Sequence, residues 1–254
     1  MIAYICLQYD IMILNPLWWD RQFKEEFIPQ VHSLVETLEV RLLPTFDNIG
    51  QEAEKKAKEE WERLGSVASL YDFDEAALAE KAHDVGLDYY FMMNGLRQGL
   101  INMFSVTLYH LYEQQKMIFH RKEILAPEEE DDRKLIKHEI FQNKLQEYEI
   151  NITQFKSWFR IEELRLIANT IKHAAGDSAE KLHAWRPDLF KAPSMSESLP
   201  ALPTFPTSSM QVYRPLMGED IYLGLKDIKI YANAVEQFWN ELSDKIMKIE
   251  RIGG

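Results

Sequence analysis

Residues 87–122 carry the longest helical pattern in the chain, and the rest of the fold has to be arranged around it. Phe91, Leu100, Phe104, Leu108, Leu111 and Ile118 read as its buried seam. Gly95 and Gly99 lie four apart, a spacing that lets another helix approach closely. Apolar segments on either side can cover such a helix. In 18–43, Phe23, Phe27, Val31, Leu34, Val35, Leu38 and Leu42 recur at three- and four-residue steps, with Pro29 as a kink and Pro44 as the stop. In 227–249, Ile230, Ala234, Phe238, Leu242 and Ile246 form one line. Gly and Pro are scarce, at ten each. The expected fold is therefore all-α: a helical bundle with a helical N-terminal extension and a linker-tethered C-terminal helix.

The remaining segments divide as follows. Residues 1–17 read as a strand or extended arm. Residues 51–64 form a charged helix, and Asp72 or Asp74 caps a helix ending near His83. An acidic loop at 128–132 precedes a helix over 133–148. Asn151-Ile152-Thr153 matches a glycosylation acceptor but reads better as a polar helix start. A helix over 161–175 stops at Gly176, and Asp177 or Ser178 caps a short one over 179–184. Residues 191–211 are a Pro- and Ser-rich linker, extended around its centre. Residues 212–225 read as one or two short strands. The whole is expected as one helical domain: arm 1–17, main helices 18–190, linker 191–211 and a C-terminal segment 212–254 that packs back.

The net charge of −12 argues against nucleic-acid binding over the whole surface, while leaving room for a local basic cleft. Cys6 is the only cysteine, so an internal disulfide and a cysteine-based metal site are both ruled out, which fits a reducing, cytoplasmic compartment. The apolar start lacks a basic flank and a cleavage site, and is weak as a signal peptide. No membrane span is expected. Phosphate-loop, dinucleotide and nucleophile-elbow motifs are missing, and the histidine spacings are not those of a metal site. Neither metal nor cofactor is expected.

What remains is the helix that holds Arg165, Asn169, Lys172 and His173. At about 100° per residue, Asn169 lies near +40°, Lys172 near −20° and His173 near +80° from Arg165. Leu164, Ile167, Ala168, Ile171 and Ala175 take the other side. Such a stripe is either a solvated face or a site. A histidine beside cations suits RNA cleavage. Imidazole can take the ribose 2′-hydroxyl proton and return one to the leaving oxygen, while Arg165 and Lys172 hold the phosphate and Asn169 orients either group. No metal is needed.

Through ELRLIANTIKH the chain resembles the HEPN superfamily, all-helical domains found in ribonuclease toxins, abortive-infection proteins and other antiviral systems. Its usual signature places four to six residues between Arg and His; here Arg165 and His173 enclose seven. A second pair, Arg133 and His138, has a spacing of four and is held in reserve. The resemblance implies a metal-independent endoribonuclease of a toxin or antiviral system. RNA would be its substrate, with Arg165, Asn169, Lys172 and His173 catalytic and Arg160 and Arg186 binding RNA. It further implies a homodimer with two copies of the His173 helix face to face, and a neutralising or regulatory partner protein. The competing readings are a non-catalytic interaction or dimerisation protein, whose stripe is plugged by carboxylates, and a small-molecule sensor with a pocket between helices.

Overall fold

A computed structural model of the chain describes residues 15–68, 74–192 and 211–253. Among them there are eight α-helices and no β-strand, so the all-α expectation holds. The helices are α1 (Pro16–Gln22), α2 (Ile28–Glu36), α3 (Ile49–Ala68), α4 (Glu75–Phe119), α5 (His138–Glu147), α6 (Trp158–His173), α7 (Asp177–Trp185) and α8 (Leu225–Gly253). Among the described residues, no helix is long and apolar enough to cross a membrane. Most of the expected arm and of the linker lies outside the described residues; Pro16 already opens α1, capped by the Asn15 side chain accepting from the Trp18 amide. The described residues fall into two compact units. The first holds residues up to His32, His110–Ile161 and those from Asn233 onward; the second holds those of Ser33–Tyr109 and Glu162–Ala232.

The first unit is built on aromatic rings. Trp19 meets Phe119 edge-on at 4.9 Å, and Trp239 lies 4.8 Å from Phe23 and 5.1 Å from Phe27 and Phe238. Such pairs favour edge contacts because ring faces and edges carry opposite partial charge. The buried Gln115 amide ties this cluster together: its nitrogen donates to the Phe27 carbonyl at 3.0 Å, and its oxygen accepts from the Trp239 indole at 2.9 Å. Pro29 does not break the helix. A π turn over Phe23–Phe27 precedes it, with the Ile28 amide reaching back to the Phe23 carbonyl, and this wider turn relieves the clash a proline ring makes one turn back. The helix expected over 133–148 is shorter. Turns occupy 133–136 and α5 begins only at His138, so Arg133 and His138 do not share a helix. Asn151 behaves as a helix start: its side chain accepts from the Thr153 amide.

The helix α4 runs 45 residues from a cap at Asp74, whose carboxylate accepts from the Ala76 amide, and its residues up to Tyr109 belong to the second unit. It does not stop near His83. Glycine disfavours a helix by only about 1 kcal/mol, and Gly86 is where α3 comes close: a Cβ there would stand 2.9 Å from the Ala53 carbonyl and the Ala57 methyl. Gly95 and Gly99 receive a loop instead of a helix. A Cβ on Gly99 would lie 2.3 Å from the Leu216 carbonyl oxygen, and one on Gly95 would lie 3.0 Å from that of Met217. This loop belongs to the segment read as short strands. It forms a 3-10 turn at Pro215–Met217, and its carbonyls find side-chain donors on α4 in place of a neighbouring strand. The buried Asn102 amide donates to Pro215 and Ile221, and Gln98 donates to Leu223. Of the expected α4 seam, Leu108 is fully buried, while Phe91 and Ile118 each remain 48% exposed.

Candidate functional site

The polar stripe of α6 sits where its periodicity puts it. Within the second unit, Glu163, Leu164, Leu166, Ile167, Ala168, Thr170 and Ile171 are buried, whereas Arg165 and Asn169 are half-buried and Lys172 and His173 are exposed. Between Glu162 and Ile171 only one narrow line of the helix reaches solvent. Arg165 and His173 are eight residues apart, about 12 Å along the axis. The Arg165 guanidinium is held by Glu162, with Nε and Nη2 each 3.0 Å from its carboxylate.

The end of this helix is not at Gly176. Ala174 takes a left-handed conformation, φ 61°, and its amide closes the last turn on Thr170. The Ala175 amide then bonds the Val212 carbonyl. Gly176, at φ 153° and ψ −174°, occupies a region open essentially to glycine alone, and it precedes α7 with no side-chain cap. Neither Asp177 nor Ser178 serves as the cap, because Asp177 is already helical.

Arg186 occupies the most elaborate polar cluster in the unit. Pro187 restricts the residue before it to extended backbone, which ends α7 and leaves Arg186 at φ −136°. Its guanidinium donates to Glu163 at 2.7 Å, to Tyr231 at 3.1 Å, to Asp227 at 3.0 Å and three times to Asp188, at 2.9, 3.2 and 2.7 Å. Tyr231 in turn donates to Glu163 at 2.8 Å. Asp227 uses its other oxygen to accept from the Gly224 amide, which closes the first turn of α8. Glu163 and Tyr231 are fully buried. Hydrogen bonding to Arg186 holds the Asp188 carboxyl below its ordinary range. Burial, reinforced by Glu163, pushes the Tyr231 phenol well above its own. One guanidinium thus faces three carboxyl groups of its own chain.

Arg160 lies in the first unit, 5.5 Å over the Phe159 ring. His138 stacks on Trp158 at 5.9 Å, with Lys116 3.1 Å from its Nδ1. Sequence reasoning missed Glu163, Asp227 and Tyr231. The usable signal was the second glutamate of the Glu162-Glu163 pair, which the helical wheel places on the apolar side. A shallow groove between α3 and α4 is lined by Ala57, Trp61, Ala79 and Ala82 with Lys58 and His83. Among the described residues, no three His, Cys, Asp or Glu side chains are arranged to hold a metal ion.

A second feature is apolar. Around the loop seated on Gly95 and Gly99, the side chains of Phe91, Met92, Leu96 and Met103 from α4 and of Leu216 and Met217 from the loop are all 46–56% exposed. Compared with models of protein families, with curated proteins and with solved structures, the chain matches none.

Proposed function

We propose that this chain is a non-catalytic helical interaction protein that works through the apolar strip on α4 and the loop against it. The observation that carries the reading is a contrast. Both arginines of the second unit proposed to hold phosphate are engaged by carboxylates of the same chain, while six large apolar side chains stand half-exposed together. Monomeric proteins rarely expose contiguous apolar surface of this kind without a partner. The net charge of −12 points the same way, since RNA would meet a repulsive surface. The resemblance of α6 to the HEPN superfamily agrees, because some of its members are binding or dimerisation modules. A host-defence role in the cytoplasm is part of the same proposal.

One observation favours the ribonuclease as a second reading. Lys172 and His173 are exposed, and among the described residues neither side chain forms a hydrogen bond or ion pair. An imidazole beside an ammonium group therefore faces solvent at the end of α6, as RNA cleavage in a shared homodimer cleft requires. The test is cleavage of single-stranded RNA by the full chain and by His173→Ala, with chelator present. The interaction reading expects the same background from both proteins. Cleavage by the parent that is lost in His173→Ala would overturn it and install the ribonuclease.

A further inference from the structure

We infer that the occupant of the α4 strip is a second copy of this chain, with the two α4 helices antiparallel. The inference rests on the interaction reading and names its partner. Relative to Met92, helical geometry places Leu96 near +40°, Gly99 near −20° and Met103 near +20°, all on one face. Asp88 falls on the same face, one turn before Met92, and from there to Met103 that face carries no charge. On a chain of net charge −12, most surfaces would meet their own copy with like charges opposed. This one does not.

The strip is also self-complementary. Antiparallel pairing centred between residues 97 and 98 sets Met92 opposite the partner's Met103, and Met103 opposite the partner's Met92. The ridge formed by Leu216 and Met217 flanks that face on the side of Gly95 and Gly99. Its position is fixed, because Gly95 and Gly99 leave no side chain in its way and Asn102 holds its carbonyls. Methionine suits such a surface, since its unbranched side chain adapts to a facing copy of itself.

The area is sufficient. Six half-exposed side chains of this size present roughly 300–500 Å² per copy, so two copies present about 600–1,000 Å² of apolar surface. Ordinary interfaces are little more than half apolar. With its polar rim this one therefore passes the roughly 1,000 Å² that marks a specific association.

The test is thiol cross-linking of the full chain in a Cys6→Ser background, with Met92→Cys and Met103→Cys carried on separate chains. A short bis-maleimide should link the mixed sample several-fold more strongly than either variant alone. Identical positions in the antiparallel pair are offset by about 16 Å along the axis. Adding Leu96→Glu to both chains should abolish the link, and because Leu96 is exposed the helix content by circular dichroism should be unchanged. Equal linking in all samples would overturn the antiparallel arrangement, and an absence of linking in any of them would overturn self-association through this strip. Neither result touches the interaction reading, which the RNA assay decides separately.

Discussion

Replacing Arg186 by methionine probes the polar cluster that ties α6, the end of α7 and the start of α8 together. Methionine keeps most of the side-chain volume and removes the charge. Glu163, which is fully buried, would lose its cationic partner at 2.7 Å. Breaking a buried pair from one side costs about 3–5 kcal/mol, although Tyr231 continues to donate to Glu163 at 2.8 Å. Asp188 adds little: its side chain is 62% exposed, and an exposed pair is worth about 0–1 kcal/mol. Asp227 keeps the Gly224 amide. The expected loss is therefore about 4 kcal/mol, which for a chain of this size lowers the melting temperature by roughly 8–16 °C. Urea and thermal unfolding followed by circular dichroism measure it. Adding Glu163→Gln to Arg186→Met should recover at least about 2 kcal/mol, as residues in one network couple. A single-variant loss under about 1 kcal/mol, or no recovery in the pair, would refute this picture of the cluster.

Four further outcomes are expected. Gly99→Ala should destabilise by about 1–3 kcal/mol, because its methyl would fall 2.3 Å from the Leu216 carbonyl oxygen. Gly65→Ala in α3, with nothing within 4 Å, should stabilise by about 0.5–1 kcal/mol in the same urea titrations. Ala174→Gly should stabilise by about 1 kcal/mol, since alanine at φ 61° bears a left-handed strain that glycine lacks. His120 is buried against Phe141, and burial first, then Lys116 and Lys144, lower its pKa from 6.5 to about 4. Between those values the unfolded chain binds a proton that the folded chain refuses. Stability from this residue is therefore complete above about pH 6.5 and declines by about 3 kcal/mol as pH falls to about 4. His120→Phe should flatten that part of the stability-pH curve.

Much of the helical architecture was legible in the chain because period and punctuation agree there. The Pro44 stop falls where expected, and the apolar side of α6 is the buried side. Errors arose where distant groups decide local structure. The continuity of α4 past His83 depends on α3 seating against Gly86. The segment 212–225 has strand-like composition, but donors from Gln98 and Asn102, more than a hundred residues away in sequence, satisfy its backbone. The helix end at Ala174 breaks the preference for glycine, and only the bond from Ala175 to Val212 accounts for it. At the candidate site, the stripe and the exposure of Lys172 and His173 followed from spacing. The capture of Arg186 did not, because Glu163, Asp227 and Tyr231 lie 23, 41 and 45 residues from it and meet it only in the fold.

The most direct test of the account is sedimentation equilibrium of the parent, Leu96→Glu and His173→Ala at the same micromolar concentration. The account predicts that the parent and His173→Ala both sediment at twice the 29.9 kDa chain mass, while Leu96→Glu sediments as a monomer. A dimer that survives Leu96→Glu and dissociates in His173→Ala would contradict it and move the interface to α6.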